Sequence, residues 1–284
     1  MAAFEIRPRR ATELVDASFQ LLRRFYPQLV AVSAIAMAPG VLARIALRQQ
    51  LTDPTAMAAH PFTAGGMVLL SSLCIVLADA VLIVAVSDGY LDGNVQLPRA
   101  LAQGWSRAGS MVAAVFLRYL VIFGVIVLLG IVAALLIPKS KANAAAIGVL
   151  FLSLPFILWF TIYVALRTFA VANAVLLEKV GPLAALNRSW ELSKGSAAHI
   201  FFSLGLAWTL YVIILMVVGA VGAVTIGPAV TQIISSVLII PIYPLLAVVS
   251  TLLYYDLRIR KEGFDLEVMS RELGTAAASP IPAM

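Results

Sequence analysis

Residues 119–137 read YLVIFGVIVLLGIVAALLI, 19 positions without one charged side chain. A helix needs about 20 such residues to cross the hydrocarbon core of a bilayer. Inside hydrocarbon, backbone N–H and C=O groups must pair within the chain, which leaves helices and closed barrels. The apolar–polar alternation of a barrel strand is missing, so the chain is expected to be all-α. Five further stretches share the character of 119–137. The pattern predicts an integral membrane helical bundle with six spans, at about 28–48, 65–87, 111–137, 145–170, 197–224 and 229–255. Together they form one transmembrane helical domain over 1–274, followed by a disordered tail over 275–284. Composition agrees. The 284 residues are 62% hydrophobic and 12% charged, against roughly 45–50% and about 25% in soluble domains.

Short amphipathic segments sit between the spans. From Thr12 to Tyr26, Leu14, Ser18, Leu21, Leu22 and Phe25 share one helical face, and Glu13, Asp16, Gln20, Arg23 and Arg24 take the other. A second segment carries Leu97, Leu101, Trp105 and Ala108 on one stripe, with Arg99, Gln103 and Arg107 opposite. A third presents Leu183, Leu186 and Trp190. Basic amphipathic helices beside spans belong in the headgroup plane. Aligning Trp105 with Trp190 also aligns Ala100-Leu101 with Ala185-Leu186, and one inserted residue matches Gly109-Ser110 to Gly195-Ser196. An acidic residue with a glycine follows each second span: Asp92-Gly93, Glu178 with Gly181, and Glu262-Gly263. Those glycines lie 88 and 82 residues apart, which suggests three copies of one interfacial helix plus two spans.

The net charge of +6 would raise nucleic acid in a soluble protein. Here the cations flank apolar spans, so the expected partner is a bilayer with anionic headgroups and not nucleic acid. With both termini on the inner side, 16 of the 20 basic residues face the cytoplasm; Arg44, Arg48, Lys139 and Lys141 do not. That asymmetry predicts a multi-pass inner-membrane protein with cytoplasmic ends. The polar lead runs to Gln28, too long for a signal peptide, so the first apolar stretch is read as a retained span. The single cysteine, Cys74, lies in an apolar run and is expected to act as a small apolar residue.

Motifs for chemistry are scarce. The chain has two histidines, His60 and His199, and no HExxH, CxxC or Walker A loop. Gly104-Trp105-Ser106 has the outline of a nucleophile elbow, but it lies on an amphipathic helix, not at a strand-to-helix turn. No cofactor is implied and no catalytic set can be named. Small-residue spacing at Gly130/Ala134 and Gly219/Ala223 points to close helix packing.

Asp79 is the outlier, a carboxylate in the middle of the second span. Such residues face the bundle interior or a wet cavity, and a functional role is their default reading. Arg118, about nine residues into the third span, reaches a similar depth, so the two form a candidate buried polar pair. The pair is either a coupling element or a structural one, with Arg118 snorkelling. Arg167, Glu178, Arg188 and Glu191 ring the inner mouth of the fourth and fifth spans. With Arg23, Arg24, Arg107 and Trp190 they are candidate headgroup contacts or a cytoplasmic docking face. Pro39-Gly40, Pro155, Pro241 and Pro244 mark kinks, which transporters use to expose carbonyls at binding sites.

Three stretches carry a family resemblance: RPRRATELVDASFQLLRRFYPQLV at the start, ALNRSWELSKG in the middle and LLYYDLRIRKEGFDLE at the close. Together they resemble the bacterial membrane-protein family related to the membrane domain of glycerophosphoryl diester phosphodiesterases. The resemblance implies a six-helix membrane protein. In the fused enzymes a separate soluble barrel carries catalysis, with histidines and metal-binding carboxylates. This chain has neither the length nor the histidines for it, so phosphodiesterase activity is not expected. The resulting expectation is a non-enzymatic membrane scaffold or accessory protein that contacts lipid headgroups and membrane or cytoplasmic protein partners. The alternative is a transporter or permease with a polar site near Asp79.

Overall fold

The computed structural model describes residues 7–47, 61–136, 142–266 and 270, and every regular element among them is an α-helix. In chain order these are α1 (Ala11–Ala46), α2 (Pro61–Leu91), α3 (Leu97–Ser106), α4 (Ala108–Leu136) and α5 (Ala142–Arg167). They continue with α6 (Val171–Leu177), α7 (Pro182–Ser193), α8 (Ala197–Thr225), α9 (Pro228–Ile242) and α10 (Pro244–Glu262). Six described segments are long and apolar enough to cross a membrane: Ala11–Ala46, Gly65–Leu91, Ala108–Val125, Leu152–Leu177, Ala197–Thr225 and Ala229–Glu262. The chain is an all-α protein of the multi-pass membrane type. Readings placed on His60, Arg48, Lys139, Lys141 and the 275–284 tail lie outside the described residues, as do the side chains of Gly130 and Ala134.

Several hydroxyls within the helices are satisfied by their own helix. Ser18, Ser33, Ser72, Thr225 and Thr251 each donate to the carbonyl four residues earlier, at 2.8 to 3.1 Å. A side chain that closes its bond on its own backbone carries no polar demand into lipid.

Backbone packing within 1–274 gathers into two compact units, Met1–Ser106 with Ala198–Met284, and Arg107–Ala197. In the first, α1 runs along α2 and meets α9 and α10. The chain leaves helical geometry inside α1 at Phe25 (φ −112°, ψ 17°), not at Pro39-Gly40. Pro27 has no N–H for the Arg23 carbonyl and its ring crowds that oxygen, which accounts for the break. Gly40 serves another end: a Cβ there would stand 3.3 Å from Cys74 Cβ and Sγ, so its bare backbone admits α2.

The stripe expected on 12–26 is buried throughout: Leu14, Ser18, Leu21, Leu22 and Phe25 are covered, while Glu13, Asp16, Gln20, Arg23 and Arg24 are exposed. What covers it differs from the expectation. The segment lies on protein, against the buried later halves of α2 and α10, where residues 81–90 and 251–257 are uninterruptedly buried. A helix apolar on all sides is an interior helix, and here two such half-helices supply the wall.

The second segment turns a different side to the protein. On α3 the packed side is Ala100 and Gly104, whereas Leu101 and Trp105 are exposed, Trp105 by 73%. Gly104 lets α3 seat directly on α2, since a Cβ there would fall 2.9 Å from Val81 Cγ2 and 3.1 Å from the Ala80 carbonyl. Arg99 fastens the same helix, with its guanidinium 3.5 Å from the buried Asp88 carboxylate and 3.7 Å from that of Asp92. The Gly219/Ala223 pairing is also corrected. The close approach on α8 is at Gly222, where a Cβ would meet Thr231 Oγ1 of α9 at 2.8 Å, and Gly219 has open space.

In the second unit α4, α5, α6 and α7 pack around Ala114, Val171, Ala174, Val175 and Ala185, with Val180 and Leu186 against them. On α7 the buried side is Ala185, Ser189, Leu192 and Ser193, and Leu183 and Trp190 are exposed. The glycine expected to cap the fourth span, Gly181, is instead the N-cap of α7 (φ −74°). The left-handed residue is Lys179 (φ 58°), directly after Glu178, just as Gly93 (φ 69°) follows Asp92 and Gly263 (φ 66°) follows Glu262.

Gly104→Ala is expected to lower stability by about 1–3 kcal/mol, the usual cost of overpacking where backbone must yield. Gly205→Ala on α8 has nothing within 4 Å of the added carbon, and should be neutral or stabilising by up to about 1 kcal/mol through helix propensity. Thermal unfolding of both variants in detergent checks the pair.

Candidate functional site

Asp79 finds its recorded partner where two prolines interrupt a span. Pro241 and Pro244 flank Tyr243, at which α9 ends and α10 begins. Pro244 brings no N–H to the helix, so the chain turns there. The Tyr243 hydroxyl donates to Asp79 Oδ1 at 2.8 Å. Tyr26 donates to the Pro241 carbonyl at 3.3 Å. Asp79 is half-buried, and its level on α2 is tied to the break in the sixth span. Arg118, its expected partner, lies on α4 in the other compact unit.

One helical turn before Asp79 and Tyr243 come Ile75 and Ile239, and these line a cavity of about 460 Å³ in the first unit. Met37, Val41, Cys74 and Leu215 extend the apolar lining. Its polar lining is Arg44, Ser71, Gln232, Ser235 and Ser236. Arg44 Nε donates to Ser71 Oγ at 3.0 Å, and Ser236 Oγ donates to the Gln232 carbonyl at 2.7 Å. Cys74 is buried as expected and also faces this space.

A second polar centre sits at the opposite end of α1. The Asp256 carboxylate is 3% exposed and accepts from three directions. The Arg9 backbone N–H reaches Oδ1 at 2.6 Å, and Arg260 Nε donates to Oδ2 at 2.7 Å. His199 Nε2 shares a hydrogen bond with Oδ2 at 2.9 Å. Arg260 also donates to the Arg9 carbonyl. One carboxylate therefore ties the segment before α1 to the start of α8 and to α10.

The charged ring expected around the fourth and fifth spans is partly organised. Arg188 Nε lies 2.9 and 2.8 Å from the two Glu178 oxygens, with both side chains mostly buried. Arg167 stacks its guanidinium over Tyr163 and Trp190, at 5.3 and 5.1 Å from the ring centroids. Ser189 mends the α5–α6 corner by donating to the Arg167 carbonyl at 2.8 Å and accepting from Ala170 N–H at 3.1 Å. Arg107 donates to the Lys179 carbonyl at 2.9 Å and so braces the left-handed corner. Glu191 is exposed on α7, and Arg23 and Arg24 are exposed on α1, with Arg24 over the Phe25 ring at 5.2 Å.

Tyr243, Asp256 and His199 escaped the sequence reading. Tyr243 was signalled only by its two flanking prolines. Asp256 follows two tyrosines in the closing stretch that carries the family resemblance. Among the described residues no group of three or more His, Cys, Asp or Glu is placed to hold a metal ion. These arrangements are suited to binding and bracing. No family model matches the chain, and no curated protein or solved structure matches it.

Tyr243→Phe should lower stability by roughly 1–3 kcal/mol, the worth of one hydrogen bond to a polar or charged acceptor. Asp79→Asn keeps an acceptor oxygen and should cost less, as chemical unfolding in detergent can measure. Asp256→Ala removes the shared acceptor of Arg9, His199 and Arg260 and should cost about 3–5 kcal/mol. Faster proteolysis of the segment before α1 is the accompanying readout.

Proposed function

We propose that this chain is a non-enzymatic scaffold or accessory protein of a bacterial inner membrane, with both termini cytoplasmic. We relate it to the membrane-domain family of glycerophosphoryl diester phosphodiesterases on the three sequence stretches given above. One observation carries the reading. The short helices α3 and α7 each turn a small-residue side, Ala100 with Gly104 and Ala185 with Ser189, to the protein. Each leaves a leucine and its tryptophan exposed, Leu101 with Trp105 and Leu183 with Trp190, while Leu192 of α7 is buried with the small residues. A helix that hides its small side and bares its tryptophan is suited to the bilayer interface, where an indole has both an apolar and a hydrogen-bonding surrounding. Arg99 and Arg107 lie on or beside α3 and suit anionic headgroups on the cytoplasmic leaflet.

The internal repeat gains support from the same positions. Ala100 and Ala185 are both fully buried, and the tryptophans aligned in the sequence are both outward. The left-handed corners at Gly93, Lys179 and Gly263 are more evenly spaced than the glycines that suggested them. The segment 12–26, by contrast, buries its apolar stripe on protein, and its polar side, with Arg23 and Arg24, is what it offers to headgroups or a partner.

The test places Trp105 and Trp190 as the only indoles, with Trp159 and Trp208 replaced by Phe, in vesicles containing anionic lipid. Bromine near the headgroup end of the acyl chains should quench more than bromine near the methyl end, and aqueous iodide should quench least. Full quenching by iodide with none by brominated lipid would overturn the interfacial reading.

A further inference from the structure

The cavity bounded by Arg44, Ser71 and Gln232 has two chemically distinct halves, and together they specify a ligand. Among the described residues its lining contains one charged side chain, the Arg44 cation, and no carboxylate. Arg44 is exposed, and its Nε is already committed to Ser71 Oγ at 3.0 Å. That bond holds the guanidinium in place through one edge, and the two terminal nitrogens retain the fork geometry that suits an oxyanion. Gln232 and Ser235 add neutral hydrogen-bonding groups beside it. Beyond them the lining turns apolar, through Cys74, Ile75 and Ile239. The space, about 460 Å³, falls in the roughly 300–1,000 Å³ range of small-molecule sites.

We infer that this cavity binds an anionic lipid, with the phosphate at Arg44, Gln232 and Ser235 and the start of an acyl chain on the Cys74–Ile75–Ile239 side. A neutral hydrocarbon would leave the terminal nitrogens of the guanidinium without an oxyanion to match their fork. A free phosphate would leave the apolar half unfilled. An amphipathic phosphate satisfies both, and a bilayer supplies it at high local concentration. The position also separates this site from the headgroup contacts proposed for α3 and α7, because it is a pocket between spans and not an exposed helix face. The floor of the pocket rests on the turn that leads to Asp79 and Tyr243, so an occupant would bear on that hydrogen bond.

Native mass spectrometry of the delipidated protein in an uncharged detergent tests the site with three probes: dimyristoyl phosphatidylglycerol, dimyristoylglycerol and inorganic phosphate. The expected result is one phosphatidylglycerol per chain, bound in preference to dimyristoylglycerol and retained in millimolar inorganic phosphate. Arg44→Gln should weaken it by about tenfold to a hundredfold, the range for loss of hydrogen bonds to a charged group. Arg44→Lys should fall between. Ile75→Trp, which fills the apolar half, should also displace the lipid while inorganic phosphate binding is unchanged. Thermal unfolding of the lipid-free variants establishes that each is folded. The inference is overturned if phosphatidylglycerol binds folded Arg44→Gln as tightly as the parent, or if dimyristoylglycerol binds equally well. It is also overturned if inorganic phosphate displaces the lipid as effectively as the lipid itself, or if no lipid binds.

Discussion

Hydrocarbon offers no hydrogen bond, and most features of this protein answer to that fact. Helices satisfy the backbone, and serine and threonine close their hydroxyls on the carbonyl four residues behind them. At the proline-marked break in the sixth span two tyrosines supply bonds: Tyr26 donates to the Pro241 carbonyl, and Tyr243 turns its hydroxyl to Asp79. At the α5–α6 corner Ser189 meets one carbonyl and one N–H together. Polar residues are sparse in this chain, and many of those described close a local account instead of opening one to solvent.

Packing follows a second rule, that side-chain size decides which surface a helix shows to its neighbour. Gly104 on α3, Gly40 on α1 and Gly222 on α8 mark places where backbones come together because nothing intervenes. Dispersion between closely packed backbones replaces the hydrophobic drive that lipid cannot supply. Large apolar groups such as Trp105 and Trp190 are then left exposed.

The sequence was informative where a signal is local. Apolar length gave six spans, and spacing gave the buried stripe Leu14, Ser18, Leu21, Leu22 and Phe25. Periodicity says that a face is covered but not by what, so protein could stand where lipid was expected. Ala100 and Gly104 carry almost no hydrophobic signal, yet they form the contact with α2, and no periodicity rule singles them out. Asp79 was conspicuous, but Tyr243 lies 164 positions away, and no spacing rule joins residues so distant. Arg188 and Glu178, ten positions apart across one corner, were within reach of such reasoning, and they pair.

The bond between Arg9 and Asp256 spans 247 positions of sequence, nearly the whole polypeptide. Ribosomes deliver the two ends at very different times, at about 5–20 residues per second. The compact unit that includes both ends is split in the chain, and the contiguous Arg107–Ala197 portion emerges in between. That middle portion has all its own helices at hand first and is free to assemble while the flanking unit waits. Until α10 arrives, the apolar stripe near the amino end lacks one of its walls, and a nascent chain in that state must rest it on lipid or on an insertion factor. The completion of the outer unit is thus a late event in synthesis, sealed by a single carboxylate.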